Sequence, residues 1–209
     1  MIKKYAVIIG IIISSLLLLV SSLKYPGGSQ YNKFANGFDW KHNYICNLFD
    51  EFAVNGDVNA SRYWAIAGTF FFCVSFVFFF VHFSNKLVSK NASNVIKYCG
   101  VSAMIASFLI VTPYHNAMIV LSSTLALISM FYITYYIFKS DLKYFKLLSI
   151  ICLLISYFCN YIYYTKHYLE FLPIVQKMAL GITVVWMLGL EYFTRKEDFE
   201  NIKIGKMRK

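Results

Sequence analysis

Six stretches of this chain are each about as long as a bilayer is thick and nearly free of charge. A hydrocarbon core of roughly 30 Å needs about 20 apolar residues in a helix. The sequence offers Tyr5–Leu23, Tyr63–Phe83, Val95–Val111, Ala117–Phe138, Leu147–Tyr164 and Phe171–Phe193. Apolar residues run continuously through them instead of alternating, so a transmembrane barrel is excluded. Composition agrees, because 59% of the 209 residues are hydrophobic and only 14% are charged. A soluble domain of this size carries about a quarter charged residues, whereas a helix facing lipid can be apolar all round. The prediction is an all-α integral membrane bundle of six transmembrane helices. It forms a single domain over 1–194, followed by a basic tail over 195–209.

The net charge of +10 does not indicate nucleic acid. The cations lie between and after the apolar blocks instead of on one soluble face, which is the pattern of topology signals and phospholipid contacts. With the N-terminus inside, the cytoplasmic segments hold 14 of the Lys and Arg residues and the outer segments hold 6, while acidic residues split five and five. The asymmetry predicts both termini in the cytoplasm, with a bacterial inner membrane as the expected location. Lys3 and Lys4 before an apolar run also describe a signal peptide, with Val20-Ser21-Ser22 as a small-residue site. The run is long for a signal, so the first span is expected to be retained. The tail mixes Arg195, Lys196 and later cations with Glu197, Asp198 and Glu200, and is expected to be solvated or to lie on the membrane surface.

The outer side carries most of the chemistry. The first loop, Lys24–Ser61, spans 38 residues and is rich in aromatic side chains. Loops of this length are functional or disordered, and this composition predicts a cap folded back on the bundle. Tyr25-Pro26-Gly27-Gly28 and Asn55-Gly56 read as turns. Ile45, Leu48, Phe49 and Phe52 recur at helical spacing, predicting a short helix over Trp40–Phe52. Asn59 or Ser61 is placed to cap the second span.

Several polar groups reach the same outer level from distant parts of the chain. His42, Asp50 and Arg62 come from the first loop and its edge. His115 and Asn116 follow Thr112-Pro113-Tyr114, Asn160 lies near the outer end of the fifth span, and His167 and Glu170 lie in the last outer loop. Gln176 and Lys177 lie just inside the sixth span, where a cation faces protein, a pocket or the interface. The plain readings are a snorkelling Lys177, an Arg62 interface anchor and solvent-facing histidines. The functional reading is an outward pocket for a lipid headgroup or small amphiphile, lined by Arg62, His115, Asn116, His167, Gln176 and Lys177, with Arg62 and Lys177 engaging an anionic group. No cofactor is expected under it, membrane lipids are the expected partners, and the oligomeric state is left open.

A second reading is a membrane-embedded lipid hydrolase, with His42, Asp50, His115 and His167 as zinc ligands and an open position for water. Zinc belongs to that reading alone. Asp39-Trp40, Asn43-Tyr44 and Glu51-Phe52 are faintly similar to stretches of alkaline ceramidases, without their later paired histidines. A small transporter is a third reading, opposed by the lack of a central Gly or Pro break in any span. An accessory subunit is a fourth. Ala65, Gly68, Ala103, Ala106, Ser122, Ser123 and Gly181 permit close helix contact. Of the five cysteines, Cys46 and Cys159 lie near enough to the outer face for a disulfide to be possible. No HExxH, GxSxG or phosphate-binding loop is present.

Three stretches carry a resemblance: Tyr25-Pro26-Gly27-Gly28 after the first span, Thr112-Pro113 with His115-Asn116 opening the fourth, and Pro173 with Gln176-Lys177 opening the sixth. With six spans, the pattern resembles uncharacterised bacterial membrane proteins grouped with the damage-regulated autophagy modulator-like family. The resemblance implies a six-helix fold with an outward polar site, and no known reaction.

Overall fold

The computed structural model describes residues 2–200 and 202, with side chains from Tyr5 onward. Six long helices carry the fold: α1 (Ile2–Leu23), α2 (Arg62–Ser84), α3 (Lys90–Leu109), α4 (His115–Lys139), α5 (Lys143–Thr165) and α6 (Leu172–Phe193). A one-turn α7 (Glu197–Glu200) follows. All six long helices are apolar enough to cross a membrane, so the chain is an integral membrane helical bundle. The helices begin up to five residues before the predicted spans, as at Lys90 against Val95 and Lys143 against Leu147. Hydropathy marks only the buried part of a helix, whereas hydrogen bonding continues into a polar first turn at the interface.

Each helix packs on the next in sequence, and α6 returns to α2. Helices α2 to α6 therefore close a ring, with α1 packed outside on α2. Close approach is built in where small residues face bulky ones. A β-carbon on Gly100 would strike the Phe80 ring, and one on Gly189 would press on Phe145. Trp186, Phe79, Phe83, Ile133 and Met187 fill the end of the bundle away from the long loop. At that end Lys86 donates to the carbonyls of Leu190 and Glu191 at 2.9 and 3.0 Å, satisfying acceptors that α6 leaves open at its C-terminus. Burial pulls the Lys86 ammonium below its ordinary value, opposed by Glu191 and Asp198.

The tail does not begin as free chain. Phe199 is 1% exposed and meets Phe83 edge-on, with ring centroids 5.5 Å apart. One apolar side chain thus docks the first residues of a segment expected to be solvated. Residues 201 and 203–209, the rest of that basic segment, lie outside the described residues.

The 38-residue loop is a folded cap, as its aromatic content predicted. The expected helix over Trp40–Phe52 is not there. A single 3-10 turn at Ile45–Leu48 replaces it. Short polar side chains bond the local backbone into turns, and Asn47 takes the one amide among them, that of Tyr44, which a helix from Trp40 would use. Asp39 Oδ1 accepts from the Lys41 and His42 amides, Asn43 Oδ1 accepts from the Asp39 amide, and Asn47 Oδ1 accepts from the Tyr44 amide. The predicted stripe splits accordingly, with Leu48 buried and Phe52 exposed.

Two fully buried asparagines organise the cap. Asn43 donates to the Gly28 carbonyl at 2.9 Å. Asn59 donates to the carbonyls of Leu48 and Asp50. Neither Asn59 nor Ser61 caps α2 as expected. Ser61 instead donates to Asn59 Oδ1 at 2.6 Å and receives Ser21 from α1. Gly28 has φ +83, and a β-carbon there would run into the Val54–Asn55 backbone, so this turn admits only glycine without rearrangement.

Candidate functional site

Among α2 to α6, under the cap, lie two adjoining hollows, an outer and a deep lobe. The outer lobe has a volume of about 520 Å³ and the deep lobe about 340 Å³. Cys46, Ile110, Ile119, Ser123, Cys159, Asn160 and Gln176 line both and mark where the two meet. Both volumes fall within the range of roughly 300–1,000 Å³ typical of ligand cavities.

The deep lobe is walled by apolar side chains from all five helices, among them Phe72, Phe76, Met104, Leu127 and Leu180, with Phe80, Met130 and Trp186 furthest from the cap. Trp186 spends its indole N–H on Ser149 Oγ at 2.8 Å, which leaves the ring as an apolar wall. The roof is the cap itself, through Ile45, Cys46 and Phe49.

The outer lobe is more polar. His115, Asn116, Asn160, Tyr44, Tyr163, Lys166 and Gln176 line it. His115 Nδ1 lies 2.8 Å from the Ile110 carbonyl. A carbonyl only accepts, so Nδ1 carries the hydrogen and the neutral ring keeps a lone pair on Nε2. Asn160 donates to the Ser156 carbonyl, leaving its own side-chain oxygen for other partners. Ser123 and the Tyr164 hydroxyl meet at 3.2 Å and tie α4 to α5 beside the hollow.

Three of the six predicted ligand-binding residues, His115, Asn116 and Gln176, line this hollow. Gln176 also holds the cap, because its Oε1 accepts from the Ile45 amide at 3.2 Å. The other three are placed elsewhere. Lys177 donates to the carbonyls of Asn43 and Pro173 and lies over the Phe38 ring, so it clamps the cap onto α6. Arg62 lies 3.7 Å from Glu51 and over the Tyr63 ring. Its buried Nε has no hydrogen-bond partner among the described residues. His167 is exposed in the turn between α5 and α6 and lines neither lobe.

The four zinc-ligand candidates are not gathered. Among the described residues, no three His, Cys, Asp or Glu side chains converge as a metal site requires. His42 is engaged inside the cap, 2.7 Å from Asp39 and stacked on Tyr31. Burial alone would raise the Asp39 carboxyl, but its bonds to His42 and to the Lys41 and His42 amides hold it below its ordinary value. Asp50 and His115 do come near enough to feel each other's charge. Burial still pushes the Asp50 carboxyl up, against the opposing pull of Asn47, His115 and Arg62.

Cys46 and Cys159, weighed above as a disulfide, are both free thiols facing the same hollow. Burial, reinforced by Asp50, pushes the Cys46 thiol up to about 11. It is therefore a weak nucleophile at neutral pH. The sequence reading missed Lys166, Tyr44 and Tyr163 as lining residues. Lys166 counts in the sequence only as one more outer cation, and its place depends on the turn that follows α5.

Comparison of the chain with protein-family models, with curated proteins and with solved structures gives no match in any of the three.

Proposed function

We propose that this protein binds a membrane amphiphile in the hollow under its cap, with the polar head in the outer lobe and the apolar part in the deep lobe. One observation carries the reading: two cavities that share seven lining residues lie end to end, from a polar end at His115, Asn116 and Lys166 to an apolar floor at Phe80, Met130 and Trp186. That gradient matches an amphiphile and suits neither a purely polar solute nor a plain packing defect.

The charge asymmetry of the connecting segments supports placing the cap on the outer face and both termini in the cytoplasm, and a bacterial inner membrane is the location we propose. The likeness to the damage-regulated autophagy modulator-like proteins rests on three short stretches, and it adds no reaction to this reading.

The test is native mass spectrometry of the full chain released from mild detergent, followed by lipid analysis of what it retains. A retained amphiphile is expected in the wild type. It should be lost in Ala126→Trp, which fills the deep lobe from α4, while helicity and thermal unfolding stay close to wild type. Equal retention by the two proteins would place the amphiphile outside the hollow, and no retention by either would remove the reading.

A further inference from the structure

The lining of the hollow is one-sided in charge. Among the described residues no Asp or Glu lines either lobe, and Lys166 is the only Lys or Arg that does. Arg62 has Glu51, and both Lys86 and Lys177 have backbone carbonyls. Lys166 has no carboxylate within ion-pair distance among the described residues, and its ammonium rests 4.3 Å from the centre of the Tyr163 ring.

The backbone at Lys166 is an independent observation. Lys166 sits at φ +60 and Tyr168 at φ +61, the only non-glycine residues in the left-handed region among those described. Glycine takes that conformation at the end of a helix without strain, and a side chain with a β-carbon does not. Here a lysine ends α5 where glycine would be cheaper, and it stands at the mouth of the hollow. Of the two left-handed residues, Lys166 lines the outer lobe and Tyr168 does not, so the turn sets where the Lys166 side chain stands. Facing Lys166 across the outer lobe, His115 and Asn116 open α4, where the helix dipole presents its positive end.

The deep lobe limits the other half of the ligand. Its volume of about 340 Å³ lies near the lower end of the roughly 300–1,000 Å³ range of ligand cavities, which favours one apolar chain over two. Gln176 and Trp186 are ten residues apart on α6, so the apolar path is about 15 Å long at 1.5 Å per residue.

We propose that the ligand is a single-chain anionic amphiphile whose acidic head sits on Lys166 while its chain runs between the helices to Trp186. The proposal rests on the amphiphile reading above and adds the charge of the head, the number of chains and the residue that selects for them. Carboxylate and phosphate share the required chemistry, so a free fatty acid and a lysophosphatidate are the two sources to separate.

The experiment uses the full-length protein in phosphatidylcholine nanodiscs, with radiolabelled laurate, lauroyl lysophosphatidate, lauroyl lysophosphatidylcholine and dodecyltrimethylammonium as probes. Expected is at least tenfold tighter binding of one or both anionic probes than of the zwitterionic and cationic ones. Laurate alone would identify the fatty acid, lysophosphatidate alone the lysophospholipid, and both together a site that reads charge only. Lys166→Gly should weaken anionic binding at least tenfold while its Tm stays level or rises, because glycine accepts the turn. Lys166→Arg should keep most of the binding. The proposal is overturned if dodecyltrimethylammonium or lauroyl lysophosphatidylcholine binds as well as the tighter of the two anionic probes, or if Lys166→Gly binds like the wild type. In either case, loss of binding in Ala126→Trp would show that the amphiphile cavity itself still stands. If none of the four probes binds, the single-chain anionic proposal falls, and retention of an amphiphile by the wild type in native mass spectrometry shows that the reading beneath it still stands.

Discussion

Lys177 Nζ donates to the backbone carbonyl of Asn43, joining the second turn of α6 to the centre of a cap 134 residues earlier in the chain. The side chain lies inside a predicted membrane span, yet its charge is spent on protein, on Asn43 and on its own helix at Pro173. Hydrogen bonds to a charged group contribute about 1.5–3 kcal/mol. Lys177→Met is therefore expected to lower unfolding stability by about 2 kcal/mol and to speed proteolytic cleavage within residues 24–61. Because Lys177 does not line the hollow, amphiphile affinity should fall much less than in Lys166→Gly. A larger loss of affinity than of stability would return Lys177 to the binding site.

Glycine substitutions separate helix contact from helix propensity. Gly100→Ala places a β-carbon into the Phe80 ring, and that ring lines the deep lobe. Overpacking of this kind costs about 1–3 kcal/mol. Lower Tm and weaker amphiphile retention are both expected, as the ring moves toward the cavity. Gly181→Ala meets nothing within 4 Å and should leave Tm unchanged or raise it, by up to about 1 kcal/mol in stability. Thermal unfolding of the two variants side by side checks both.

Asp50 provides a pH test. Its carboxyl is raised above the ordinary 3.8 by burial, so the fold favours the neutral form. The stability linked to it is full below 3.8 and is lost as pH rises through the higher folded value. Asp50→Asn, neutral throughout, should match the wild type near pH 3.5 and be more stable at pH 7. The reverse order at pH 7 would mean that His115 and Arg62 together outweigh the burial of the charge.

The orientation can be read by labelling. Tyr31 in the cap is 83% exposed and Tyr144 at the start of α5 is 93% exposed, at opposite ends of the bundle. Tyr31→Cys should react with a membrane-impermeant maleimide on intact cells, and Tyr144→Cys only after permeabilisation. Labelling of Tyr144→Cys alone on intact cells would invert the topology and carry the hollow to the cytoplasmic side.

The six spans were legible in the chain because the requirement behind them is local. In hydrocarbon every backbone donor and acceptor must be satisfied within its own segment, so an apolar run of sufficient length becomes a helix whatever surrounds it. Periodicity was a poorer guide in the cap. Ile45, Leu48, Phe49 and Phe52 follow helical spacing, yet Asp39 and Asn43 bond the local backbone into turns and Asn47 captures the Tyr44 amide that such a helix needs. Asparagine in a sequence does not announce which carbonyl it will find, and Asn43 finds that of Gly28, fifteen residues away.

The candidate site divides along the same line. The chain alone determined that the candidate polar groups lie near the ends of the spans and not along them, because charges concentrate where lipid ends. Which of them face a common space depended on how five helices pack and on the volume they leave unfilled. His115, Asn116 and Gln176 face that space, whereas Lys177 and Arg62 are taken up by Asn43 and Glu51. Lys166 reaches it through a left-handed turn that only the folded backbone displays. Hydropathy is a sum over neighbours in the chain, while a cavity and its lining are set by contacts between residues that the chain keeps far apart.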